Sequence, residues 1–274
     1  MTTPDVPHRI EFSVQVPGTP EQVWQAIATG GGLSSWFLPT DIDEREGGAL
    51  FVRMGDSGSP GTVTGWDPPR RLFYEEPEWA ALGGQPDAVV TPLVSEFLVE
   101  AQSGGTCLVR VVSSAFGTGS DWEQEGFDEM ERYWRPYFEH HLRMYLSRFT
   151  GQRATNMEVD VDLPGRPEVV RQAMERALGI TATGQAVTVH GLDGRVERIG
   201  DPYVVISVAD PVPGYLSLFA MGRDDGTASA QVAAWLFGDG APGYVCEKTP
   251  VWRSWIESLV VDEQVGGDTS AVGR

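Results

Sequence analysis

From Arg9 to Val16 the chain alternates without a break, with Ile10, Phe12, Val14 and Val16 apolar and polar residues between them. That period of two predicts a strand with one buried face. The period then changes. Thr19 stands where a helix cap belongs, Pro20 fits the first helical position and Gln22 completes a capping box. Val23, Trp24 and Ile27 follow as the stripe of an amphipathic helix. Gly30–Gly32 are expected to end that helix and turn the chain sharply. Short strands are predicted near Ala49–Met54, Gly61–Trp66, Leu72–Glu76, Val94–Glu100 and Thr106–Ser114, separated by "GDSGSPG", "DPPR" and "QSGG". From about Gln124 to Phe149, large apolar residues recur at three and four, which predicts one long helix, with a kink expected at Pro136.

The same pattern returns further on. "PGTPEQVWQAI" from Pro17 and "PGRPEVVRQAM" from Pro164 share seven of eleven positions, 147 residues apart. "YWRPYF" at Tyr133 and "VWRSWI" at Val251 lie 118 apart, each in a terminal apolar helix. The repeat implies two tandem α+β modules of one topology, the second shorter by about 29 residues between landmarks. Second-copy strands are expected near Ala186–His190, Tyr203–Ala209, Tyr215–Met221 and Ala228–Phe237, with a closing helix from about Val251 to Val261. The boundaries read as 8–150 and 156–262, with 263–274 as a flexible tail.

Charge narrows the function. The 39 acids and 20 bases give a net charge of −19, and both modules share the excess. No basic stripe exists to neutralise phosphates, which disfavours nucleic acid and anionic lipid surfaces. No apolar run is long enough to span a membrane. "MTTPDVPHRIEF" shows no secretory signal, so the cytoplasm is the expected compartment. Cys107 and Cys246 both sit in apolar runs and are expected to be buried free thiols. His140 and His141 are adjacent on a helix and point about 100° apart, so they cannot chelate one ion together; no cofactor or metal is expected. "DIDERE" lacks the twelfth-position glutamate of a calcium loop and reads as a solvated edge. No nucleophile motif or phosphate loop is present. The acids from Glu123 to Glu131 suit a helix N-terminus.

Several ordered stretches carry a family resemblance: "VPGTPEQVWQAI…LSSWFLP", "EREGGALFVRM", "GTVTGWDPPRRLFYEE" and "GGTCLVRVVSSAFG" followed by "WEQEGFDEMERYW". Over about residues 8–150 the chain resembles START-like (SRPBCC) helix-grip proteins, closest to the homologues of the heat-shock-chaperone ATPase activator, which are common in bacteria. The second half resembles the family only through the repeat and lacks the "SSWFLP" and "DPPRRL" units. The resemblance implies a curved antiparallel sheet wrapped on a long C-terminal helix, with a cavity between them for a small hydrophobic or amphipathic molecule.

Within that fold, strand parity and the helix face name the candidate lining: Trp36, Phe37, Phe51, Arg53, Trp66, Tyr74, Phe97, Trp122, Tyr133, Trp134 and Tyr137, with Val109, Val111 and Phe127 beside them. Trp36 and Phe37 would roof the cavity or plug the core. Arg53 would orient a ligand carboxylate, pair with Glu96, or stand on the outer sheet face. A ligand-binding role is read ahead of two others that the resemblance implies. These are a chaperone-cofactor-like protein-interaction module and an enzyme of the polyketide cyclase or aromatase kind.

Overall fold

The alternation at the start of the chain becomes a 12-residue strand, β1 (Val6–Pro17), whose alternate residues are buried. In the helix that follows, α1 (Pro20–Ala28), the Thr19 side chain accepts from the Gln22 backbone and the Gln22 side chain accepts from Thr19 N–H, the reciprocal box that the sequence predicts. The computed structural model describes residues 3–55, 57–223 and 225–261. The expected tail lies outside them. The chain divides into two units between Ala154 and Thr155.

The first unit continues with α2 (Gly30–Leu33), β2 (Thr40–Ile42), β3 (Ala49–Met54), β4 (Ser57–Asp67), β5 (Arg71–Glu76), α3 (Trp79–Leu82), β6 (Leu93–Gln102) and β7 (Thr106–Gly117). Its sheet has the order β1-β7-β6-β5-β4-β3-β2, antiparallel throughout. The closing helix is α4 (Asp121–Pro136), a π-helical turn at Tyr137–Leu142 and α5 (Arg143–Arg148). Pro136 has no N–H to donate, and the hydrogen-bond register changes directly after it into the wider turn.

The glycine triplet corrects one expectation. Instead of turning sharply, Gly30–Gly32 form α2, capped by the Thr29 side chain. None of the three has a left-handed φ. They are needed for close approach: a Cβ on Gly32 would lie 2.0 Å from the Gln25 carbonyl oxygen, and one on Gly30 2.7 Å from that of Thr40. The strand β4 also starts earlier than expected, because "SGSP" pairs with Met54–Arg53–Val52–Phe51 of β3.

The second unit runs β8 (Thr155–Pro164), α6 (Pro167–Ala177), β9 (Ala186–Val189), β10 (Leu192–Arg198), β11 (Tyr203–Asp210), β12 (Gly214–Gly222), β13 (Thr227–Leu236) and α7 (Ala241–Glu257). Its order, β8-β13-β12-β11-β10-β9, is that of the first sheet with one strand fewer. Both units are therefore α+β helix-grip modules of one plan, the second trimmed. The helix α7 begins ten residues before the expected start, since Pro242 sits in the first turn and Pro250 is tolerated inside. Cys246 consequently lies on the outer side of a helix and is exposed, contrary to expectation, whereas Cys107 is buried on β7. A core of Val170 and Met174 of α6 and Trp252 and Ile256 of α7 closes on the apolar face of β11–β13. No helix among the described residues is long and apolar enough to cross a membrane.

Candidate functional site

The inner face of the first sheet is fixed by register. Phe12 opposes Val111, Val111 opposes Phe97 and Phe97 opposes Leu72. Directly opposed residues share a face, so these four define the side that packs under the closing helix. Rings assemble there. Phe97 stacks on Phe138 at 5.8 Å and on Tyr74 at 5.7 Å. Trp36 meets Phe138 edge-on at 4.8 Å and Phe37 at 5.3 Å. Phe37 continues to Trp134 at 5.5 Å and Tyr137 at 5.6 Å. Six of the predicted residues thus form one ring wall: Trp36, Phe37, Tyr74, Phe97, Trp134 and Tyr137. Trp36 is fully buried and its Nε1 donates to the Ala26 carbonyl at 2.9 Å, while Trp134 is half-buried.

The other predicted residues lie apart from the wall. Trp66 opposes Leu72, so it shares the inner face, and it packs edge-on against Trp24 at 5.0 Å. Trp122 lies 5.7 Å from Trp79. It borders an open groove of about 550 Å³ between Gly84–Val89 and the start of α4. Half-buried Tyr133 carries the Arg132 guanidinium 5.8 Å from its ring. Phe51 and Arg53 correct the parity assumed for β3. Leu50 and Val52 are the buried residues of that strand, so Phe51 and Arg53 stand on the outer face. Arg53 is exposed there, pairs with Asp41 and lies 5.3 Å from the Phe51 ring. Glu96 pairs with Arg71 instead, at 3.2 Å.

A feature absent from the expected lining runs beside the ring wall. Tyr74 opposes Ser95 and Ser95 opposes Ser113, across three adjacent strands. The two serine hydroxyls bond at 2.9 Å. Glu76 lies two residues along β5 from Tyr74 on the same face, and Ser59 reaches the row from β4. All five are buried, Glu76 with 5% of its surface exposed. Burial pushes the Glu76 carboxyl up to about 7, with Ser59 holding it back slightly. Burial, and then the nearby Glu76 charge, push the Tyr74 phenol well above its ordinary range, against a hydrogen bond from Ser95. At neutral pH the row therefore holds hydroxyls and a carboxyl near half-protonation.

A second buried pair secures the base of α4. The Glu123 carboxylate accepts from the backbone N–H of Thr118, Gly119 and Ser120, and lies 3.0 Å from His8 Nε2. Burial pushes this carboxyl up, but those donors prevail and hold it below its ordinary value. The acidic run at the helix start therefore contains one enclosed structural carboxylate.

A family model described as activator of Hsp90 ATPase homolog 1-like protein matches residues 17–147. Among solved structures, protein MLL2253 from Mesorhizobium loti is 18% identical, with a TM-score of 0.45, and the match covers 52% of this chain and 98% of that one. The Aha1 dimer from Colwellia psychrerythraea is 18% identical, with a TM-score of 0.40, covering 53% and 99%. The di-domain ARO/CYC BexL from the BE-7585A biosynthetic pathway is 14% identical, with a TM-score of 0.42, and covers 92% of this chain and 93% of its own. No curated protein matches the sequence.

Proposed function

Because its first module belongs to the START-like helix-grip superfamily, in the branch of the Hsp90-ATPase-activator homologues, we propose that this chain binds a small, amphipathic molecule between the sheet and closing helix of that module. One observation carries the reading: a wall of aromatic rings and a row of buried hydroxyl and carboxyl groups share one face of one sheet. Rings alone would be an ordinary core. A carboxyl and four hydroxyls in the same interior are costly to bury, and an apolar interior would fold without that cost. Together they match a guest with an apolar body and a polar end.

Titration of naphthalene into ¹⁵N-labelled protein tests the apolar half. Saturable shifts are expected in amides of β5, β6 and the closing helix, weakened in Phe37→Ala, whose amide spectrum should remain that of a folded module. If those amides do not respond, or only the exposed groove beside Trp122 does, the interior site is wrong. The raised Glu76 carboxyl also favours a second reading, acid–base catalysis on a bound molecule. Turnover of a bound compound, abolished in Glu76→Gln with binding retained, would separate it from binding alone.

A further inference from the structure

The inner sheet face holds polar groups that the fold leaves over. Ser59 Oγ is fully enclosed and has no hydrogen-bond partner of normal geometry, although the Glu76 carboxyl is its neighbour. A hydroxyl enclosed with only a poorly formed bond to a carboxyl costs up to about 1–3 kcal/mol, and alanine would avoid it. Glu76 adds to the cost. Among the described residues no lysine or arginine acts on it, and the one titratable group coupled to it is Tyr74, two residues along its own strand. Towards it, β4 presents Ser59 and Gly61, and β6 presents Leu93 and Ser95, all uncharged. Gly61 matters through what it lacks: a Cβ there would lie 3.3 Å from Glu76 Cγ and 2.7 Å from the Glu75 carbonyl oxygen. The strand thus approaches closely, and the Leu50 side chain, 3.0 Å from that point, lies beside the carboxyl as an apolar neighbour.

We propose that Ser59, Tyr74 and Glu76 form the polar end of the ligand site and select a neutral oxygen group, a ketone, ester or alcohol, on an otherwise apolar molecule, with Glu76 donating its carboxyl proton. This rests on the binding function proposed above. Charge decides among the ligand classes. A carboxylate or phosphate would enter beside a carboxyl and a phenol on which, among the described residues, no cation acts. An ammonium would bring three donors to a place that already holds three O–H groups, and would require an ion pair to be desolvated. One oxygen with two lone pairs meets the Ser59 hydroxyl, which lacks a well-formed bond, and the Glu76 carboxyl proton directly.

Four compounds on one skeleton test this: naphthalene, 2-acetylnaphthalene, 2-naphthoate and 2-(aminomethyl)naphthalene, each titrated at pH 5.5 and 8.5 and followed by amide shifts. At pH 5.5 the ketone is expected to bind about tenfold more tightly than naphthalene, the effect of one buried hydrogen bond. Most of that advantage should vanish at pH 8.5, where Glu76 is ionised. It should persist at both pH values in Glu76→Gln, whose amide donates throughout, and shrink in Ser59→Ala. The infrared band of the protonated carboxyl should shift when the ketone is added to the wild-type protein at pH 5.5, a readout that depends on no variant folding. A ketone no tighter than naphthalene, an unmoved carboxyl band, or tightest binding by the amine or the naphthoate overturns the inference and leaves the binding function standing. If none of the four binds, both fall.

Discussion

Replacing Glu76 by glutamine removes one ionisation and almost no volume, so the pH dependence of the resulting stability change reports the buried carboxyl itself. Its proton affinity rises from the ordinary 4.5 to about 7 on folding. Between those values the folded protein holds a proton that the unfolded chain has released, so wild-type stability falls as pH rises through this window. Below pH 4.5 the carboxyl is neutral in both states and contributes no pH dependence; above pH 7 the full penalty applies. At about 1.4 kcal/mol per unit, the rise corresponds to about 3 kcal/mol. Relative to wild type, Glu76→Gln should therefore gain about 3 kcal/mol between pH 4 and pH 8.5, on top of a constant offset for how well the amide is accommodated. Urea unfolding followed through the β5 amide resonances reads this module alone, and subtracting the two proteins cancels every other titrating group. A difference that stays flat with pH, or that favours wild type at pH 8.5, would refute the reasoning that the carboxyl is enclosed without a counter-charge.

Three other outcomes follow from the same structure. Glu123→Ala strips partners from three backbone N–H groups and from His8 and should cost about 2–4 kcal/mol in urea melts; Glu123→Gln should cost less, and its penalty should fade as pH drops through the carboxylate range, because the folded-state affinity is depressed. Trp36→Ala should cost about 3–5 kcal/mol, measured the same way, since a fully buried indole and its bond to Ala26 are both lost. Maleimide should label native protein once, at exposed Cys246, while Cys107, buried and with its thiol pushed up by burial and by Glu21, reacts only after denaturation; intact mass counts the labels.

The sequence made legible whatever depends on local period and local chemistry. The alternation of β1, the Thr19–Gln22 box and the duplicated strand–turn–helix all rest on residues within a few positions of one another. Elements that depend on partners were not legible. The three-residue β2 exists by pairing with β3, and β10 by pairing between β9 and β11. In "ALFVRM" the apolar run Leu50–Phe51–Val52 satisfies either parity, and only pairing with β4 turns Phe51 and Arg53 outward. Glu76 shows the opposite case. Leu72, Tyr74 and Glu76 share a parity that could be read directly, but an acid at a strand end reads as solvent-facing, and its burial is a tertiary fact.

The second module shows that this row is not a requirement of the fold. Its strands follow the same order, yet its packed face carries Val204, Ile206, Leu216, Leu218, Ala230 and Val232 beneath both of its helices, and among the described residues this module buries no carboxyl. An apolar interior therefore suffices to build a helix-grip sheet. A substitution sharper than glutamine follows. Enclosed charge without a partner gives way to apolar side chains of similar volume with neutral or favourable effect, so Glu76→Leu combined with Ser59→Ala should fold and should unfold at higher urea than wild type at pH 8.5, by about 2–4 kcal/mol in β5 amides. The same variant should bind naphthalene undiminished and lose its preference for 2-acetylnaphthalene. If the double substitution instead destabilised the module at every pH, the polar row would be structural, and its place beside the ring wall would have nothing to do with a guest.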